Sequence, residues 1–388
     1  MNAASRPSAA PRAAMHRHLH RVAWFAVALA LCVIVFGAFV RLSDAGLSCP
    51  DWPTCYGRAT WPKQPDAEVA AHLAEIRPLE PHKAWREQVH RHLAATLGLL
   101  VLAIALLATR RRPQGWLHVL GGAGLVAIAI PLYMRGQHVA ASVLAIAGEL
   151  ALLAGAWRWS NSDLSRASSL ALALIIFQAL LGMWTVTWLL KPIVVMGHLL
   201  GGMATLGMLA WIAWRATGAP IVLADARRLR RILLAGLVLL SVQIALGGWV
   251  SANYAALSCG LQFPKCAGHW WPQADWREAF VLWRGIGVDY EGGVLDGASR
   301  IAIQMAHRVV ALLVLGHLGA VALRLLRMPG MRGWGGLLGV ALLSQVGLGI
   351  ANVLLALPLP VAVAHNAGAA LLLFVLVSLL ARLRTPEA

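Results

Sequence analysis

A chain of 388 residues that is 59% hydrophobic, only 13% charged and of mean hydropathy +0.69 falls outside the ordinary soluble class. Its formal net charge of +17 does not mark a nucleic-acid binder, because the basic residues sit singly or in short clusters at the ends of apolar runs. Runs of about 20 apolar residues cross about 30 Å of hydrocarbon as helix, so the composition predicts an all-α polytopic membrane protein in contact with the lipid bilayer.

Residues 1–21 read as a polar, basic cytoplasmic tail with His16, His18 and His20; solvation is the default for these, and metal binding the minor alternative. No cleavage site of signal-peptide type follows, so the first span, about residues 22–40, is expected to be retained. A long loop rich in Pro, Trp and charge covers 41–86, and a span opening at Glu87 returns to Arg110-Arg111-Arg112. Further spans are expected at about 116–134, 138–157, 168–189 and 193–214, the last two divided by Lys191-Pro192. Beyond Arg227 to Arg231 come a span at 232–252, a second long loop to about Arg300 and a helix carrying His307. Spans at 334–355 and 361–381, divided by Pro358 and Pro360, close the chain.

These ten spans put both termini and every arginine cluster on one face, which holds 19 of the 33 basic residues. Nearly all the others lie in or beside the two long loops, which weigh little in the positive-inside rule. The arginine-rich face is therefore expected in the cytoplasm of a bacterial cell and the long loops on the outer, periplasmic side.

An internal repeat is legible. Phe36-Gly37-Ala38-Phe39-Val40 leading to Leu47-Ser48-Cys49 parallels Leu246-Gly247-Gly248-Trp249-Val250 leading to Leu257-Ser258-Cys259. Gln178 to Gly182, Pro192 and His198 parallel Gln345 to Gly349, Pro360 and His365. His90 and His198 are 108 residues apart and His307 and His365 are 58 apart; the excess matches a hairpin between Pro113 and Ser162. The expected organisation is a tail (1–21), a four-helix unit (22–215) with an inserted hairpin (113–162), a cytoplasmic linker (216–231) and a second four-helix unit (232–388).

Each unit offers two histidines, one on its second helix and one on its fourth, expected one to two turns inside the outer end. Helices placed diagonally in a bundle bring such imidazoles face to face at one depth, which suits the two axial positions of a heme iron. A single intramembrane histidine is as readily a hydrogen-bonding partner of a neighbouring helix; four at repeat-related positions, His90, His198, His307 and His365, favour ligation. His92 is the rival to His90 but lacks the repeat partner. His118, His138 and His317 read as interhelical or interfacial groups, and His72, His82 and His269 as loop residues. Arg91 and Arg308, each next to a candidate ligand, suit heme propionates or snorkelling to headgroups.

Cys49/Cys55 and Cys259/Cys266 lie in corresponding outer loops, where an oxidising compartment permits disulfides; metal binding is the alternative. Cys32 reads as a packing residue, and the loop tryptophans as an interfacial belt or a cover over a heme edge. Glu87 lies three residues before His90, and its counterpart is Gln304, which carries no charge. A carboxylate in one unit alone points to chemistry there, with Glu87 as general base or as stabiliser of a developing cation; a salt bridge to Arg91 at i+4 is the structural alternative.

The chain resembles the heme A synthase family of cytochrome oxidase assembly. The resemblance rests on the duplicated four-helix plan, Glu-x-x-His-Arg at Glu87 to Arg91, the paired-cysteine loops, Phe177 to Met183, and Lys191-Pro192 leading to His198-Leu199-Leu200-Gly201-Gly202. It covers about 22–112 and 168–384, and the extra hairpin departs from the usual eight spans. It implies oxidation of a methyl group of heme O to the formyl of heme A. Heme O would be the substrate in the first unit and heme b the cofactor in the second, with heme O synthase, an electron donor and a second copy of the chain as candidate partners. A b-type cytochrome that only passes electrons, or a membrane thiol-disulfide oxidoreductase using the cysteine pairs, remain the rival readings.

Overall fold

The computed structural model describes residues 17–63, 73 and 75–386; most of the expected tail, with His16, and the loop residue His72 lie outside them. Ten helices among the described residues are long and apolar enough to cross a membrane, as expected. In chain order they are α1 (Arg17–Leu42), α2 (Pro81–Thr109), α3 (Gly115–Met134), α4 (His138–Arg158), α5 (Ser165–Thr187), α6 (Pro192–Thr217), α7 (Ala226–Ala252), α9 (Gly297–Arg327), α10 (Arg332–Leu354) and α11 (Leu359–Arg382). A one-turn helix, α8 (Trp276–Ala279), lies in the second outer loop.

Several helices start earlier than their apolar runs. Proline occupies the first turn of α2, where its missing N–H costs nothing, so the helix begins six residues before Glu87. Asp296 caps α9 by accepting a hydrogen bond from the Ser299 amide at 2.8 Å. The cluster Arg227 to Arg231, expected in a linker, forms the first turns of α7, consistent with the good helix propensity of arginine and its ability to snorkel.

α1, α2, α5 and α6 pack as a closed ring in which α2 lies diagonally across from α6. α7, α9, α10 and α11 repeat that ring, with α9 across from α11. The rings meet where α6 packs on α7 and α11 and where α1 packs on α11. The histidine-bearing helices are therefore the diagonal pair of each ring. Within the inserted hairpin, α3 and α4 approach closely at Gly122 and Gly148, since a Cβ on Gly122 would lie 3.1 Å from the Gly148 carbonyl oxygen. The hairpin packs outside the first ring, α4 against α5 and α3 against α2, while α2 and α5 still touch directly. Its two ends are fastened together by an Arg112–Asp163 ion pair at 2.7 Å. Burial opposes ionisation of Asp163, but Arg112 and Ser165 more than offset it and hold its carboxyl below the usual range.

At the arginine-rich end, Trp214 donates to Ser378 Oγ at 2.8 Å and the Arg382 guanidinium lies 4.5 Å from the Trp214 ring centroid. A two-residue parallel bridge, β1 (Ile221–Val222) with β2 (Leu383–Arg384), adds a tie between the rings that the apolar periodicity gives no sign of. At the other end the two long loops interlock through an Arg77–Glu291 ion pair at 2.7 Å, and the Tyr290 amide donates to the Leu189 carbonyl.

Candidate functional site

The four repeat-related histidines occupy α2, α6, α9 and α11. His198 and His365 stand six residues into their helices, as expected, whereas His90 and His307 stand nine and ten residues in, because α2 and α9 begin with extra outer turns. Within each ring the pair is close enough to interact electrostatically, His90 with His198 and His307 with His365. All four lie deep in their bundles yet keep part of their surface accessible, so the helices leave space at the rings.

Each imidazole is backed by a glycine of the preceding helix. A Cβ on Gly37 would lie 2.7 Å from His90 Cε1, on Gly182 3.3 Å from His198 Cε1, on Gly247 3.3 Å from His307 Cε1 and on Gly349 3.0 Å from His365 Cε1. Gly37 and Gly247 are repeat partners, as are Gly182 and Gly349, so both rings build the same cradle. The glutamines of those motifs take part too: a Cβ on Gly201 would overlap the Gln178 side chain, and one on Gly368 the Gln345 side chain.

Buried polar atoms normally find partners, but the Nδ1 of His90 has none. The same holds for Nδ1 of His198 and of His365. Facing imidazoles with weakly committed nitrogens, set in glycine cradles among apolar helices, fit the donor set of a bis-imidazole heme.

Glu87, 4% exposed, is anchored on three sides. Its Oε2 accepts from Ser48 Oγ and from the Cys49 amide, both at 2.9 Å, and its Oε1 pairs with Arg91 Nη2 at 2.5 Å. Arg91 also donates to the carbonyls of Asp51 and Thr54 at 2.8 and 2.6 Å. Arg308 does the same for its own loop, donating to the carbonyls of Lys265, Pro264 and Gln262 at 3.2–3.4 Å. Both guanidinium groups thus dock the neighbouring cysteine loop onto a histidine helix. The loops carry the disulfides Cys49–Cys55 and Cys259–Cys266. In the first loop, burial pushes the Tyr56 hydroxyl up from its ordinary value.

The units differ in polar detail. Gln304 carries a buried Oε1 without a hydrogen-bond partner where the first unit has Glu87. Gln243 reaches His307 Nδ1 at 3.1 Å, and Val33 holds the corresponding place in the first unit. Cys32 is exposed rather than packed. His92 turns to its own helix, with Nδ1 2.7 Å from the Gln88 carbonyl. His118 and His317 bond the carbonyls of Ala151 and Ile232 on neighbouring helices, the interhelical role expected of them. Sequence reasoning does not single out the four glycines or Gln243 as site residues; the Gln-x-x-x-Gly spacing at Gly182, Gly247 and Gly349 is the signal available for three of the glycines.

A family model described as cytochrome oxidase assembly protein matches residues 20–377. Among curated proteins the chain is similar to a heme A synthase of Shewanella oneidensis, 39% identical over 90% of this chain and 92% of the relative. It is also similar to a heme A synthase of Paracoccus denitrificans, 29% identical over 87% and 80%, and to one of Rhizorhabdus wittichii, 27% identical over 89% and 88%.

Proposed function

The chain belongs to the heme A synthase family of cytochrome oxidase assembly proteins and is a membrane oxidoreductase, and from that premise we propose that it oxidises a methyl group of heme O to the formyl group of heme A. That conversion withdraws four electrons from the methyl carbon and adds one oxygen at the oxidation level of water, two of the four protons released coming from the carbon and two from that oxygen. His90 and His198 hold the substrate heme in the first ring, and His307 and His365 hold heme b in the second. Bound there, heme b supplies electron transfer. The cysteine loops lie on the periplasmic side of the cell membrane, docked on the outer turns of the helices that carry His90 and His307. An electron donor and heme O synthase are the partners this reaction calls for.

The observation that carries the reading is a charged difference between two cradles that share their histidines and glycines, Glu87 against Gln304, both buried. Both carboxylate oxygens of Glu87 already accept hydrogen bonds, which favours the electrostatic role over proton acceptance. The Ser48 hydroxyl, the Cys49 amide and Arg91 fix the carboxylate one helical turn outward of His90, where a preorganised negative charge stabilises positive charge developing on the substrate. The rings of glycine-backed imidazoles set the substrate's orientation, and the surrounding helices exclude bulk water. A b-type cytochrome has no use for the carboxylate, and a thiol-disulfide oxidoreductase has no use for four cradled histidines. Expression in cells that make heme O but no heme A tests the reading: extracted pigment should then contain heme A, and heme O alone would refute it.

A further inference from the structure

The two rings differ at the histidine of their second helix. Gln243 stands four residues before Gly247 on α7, on the same face and one turn inward of the glycine that backs His307. Its amide nitrogen lies 3.1 Å from His307 Nδ1 and 3.3 Å from His307 Nε2. The oxygen of that amide, Oε1, is buried and has no hydrogen-bond partner among the described residues. In the first ring Val33 stands four residues before Gly37, and His90 Nδ1 is left buried and unpartnered among the described residues. The fourth helices show no such contrast in residue type. Gln178 and Gln345 stand four residues before Gly182 and Gly349, the glycines that back His198 and His365.

An imidazole that gives Nε2 to a metal has no lone pair left there for a hydrogen bond, and it carries its proton on Nδ1. Only Nδ1 is then open to Gln243, and as a donor it calls for an acceptor. A half-turn of the amide about its terminal bond exchanges nitrogen for oxygen with almost no change of shape, which brings the unpartnered Oε1 to that proton. We propose that Gln243 is a positioning residue of the second ring: its Oε1 accepts from His307 Nδ1–H, fixes the plane of the imidazole and makes it a stronger donor to heme iron. The inference rests on the reading of His307 and His365 as the heme b ligands. A stronger imidazole donor favours the ferric over the ferrous state and slows dissociation, which suits a resident electron carrier. Val33 offers His90 no such bond, which suits a ring that takes up one heme and releases another. Gln243 against Val33 thus contributes to keeping one heme while the other is exchanged.

The test uses purified full-length protein, with His307→Ala identifying the part of the visible spectrum that belongs to second-ring heme b. Gln243→Leu keeps the bulk of the side chain and removes the acceptor, whereas Gln243→Glu keeps the acceptor. Redox titration and heme transfer to excess apomyoglobin are read on each. Gln243→Leu should weaken the ferric preference of second-ring heme b roughly tenfold, a rise of about 59 mV in midpoint potential. It should also release that heme roughly 10- to 100-fold more readily. Gln243→Glu should hold the potential at or below the native value, which a merely space-filling role would not do. In a His307→Ala/His365→Ala background, Val33→Gln should slow the release of heme O from the first ring by a similar factor. Heme b that is lost with His307→Ala but keeps its potential and release rate in Gln243→Leu overturns the inference and leaves the functional reading standing. Unchanged release of heme O from the Val33→Gln ring overturns the account of retention. A heme b spectrum that survives His307→Ala removes both the inference and the reading beneath it.

Discussion

Gly37 faces the imidazole of His90 so closely that a Cβ there would come within 2.7 Å of the ring, and Gly247 repeats the relationship with His307 at 3.3 Å. A side chain at either position must push the histidine off its place in the bundle. Overpacking of this kind costs about 1–3 kcal/mol. Gly37→Val should therefore lower heme affinity in the first ring by roughly 5- to 150-fold and leave the second-ring spectrum alone, with Gly247→Val doing the reverse. Gly98→Val, where a Cβ meets nothing within 4 Å, is the control. Heme titration of the three variants checks it; equal affinities would remove the cradle from the account.

Glu87→Gln should block the methyl-to-formyl oxidation while sparing heme b. The change converts the first ring's arrangement to that of the second, where Gln304 stands beside Arg308, so the fold accepts it. Losing one preorganised charge costs about 2.7–4 kcal/mol of barrier, or roughly 100- to 1000-fold in rate. Heme O should accumulate on the variant, read by pigment extraction. Normal heme A levels would reduce Glu87 to an anchor for Arg91 and the cysteine loop.

Arg91→Ala should free the loop from Cys49 to Cys55 and leave the carboxylate of Glu87 buried without its cation, a loss of about 3–5 kcal/mol. Mild reductant followed by thiol alkylation should then label Cys49 and Cys55 before Cys259 and Cys266. Arg308→Ala should invert that order. Unchanged order in both would mean that the arginines do not hold the loops down.

Deleting residues 113–162 should leave heme binding intact. Arg112 and Asp163 already meet at the two ends of the hairpin, and α2 packs on α5 without its help. Complete heme loss in a deletion variant that still inserts in the membrane would make the hairpin part of the core.

Much of this was legible in the sequence because each span carries its own apolar signal, and because the duplication doubles every motif. The hairpin spans were read to within a residue, since Arg110 to Arg112 and the Gly136 turn mark their limits plainly. α2, α7 and α9 start earlier than their apolar runs predict, because their first turns are polar and only the caps at Pro81 and Asp296 betray them. The Glu87–Arg91 pair is legible from its i+4 spacing, but the loop contacts of Arg91 and Arg308 are not, because those partners are backbone carbonyls of folded loops, which no residue pattern encodes. The β1–β2 tie likewise arises from how the two rings dock.

The central claim is that two matching histidine pairs hold different hemes. Pigment extraction from a His90→Ala/His198→Ala variant and a His307→Ala/His365→Ala variant tests it most directly. The first should retain heme b and lack heme O and heme A, and the second should lose heme b. The same pigment mixture from both variants would contradict the division between the rings.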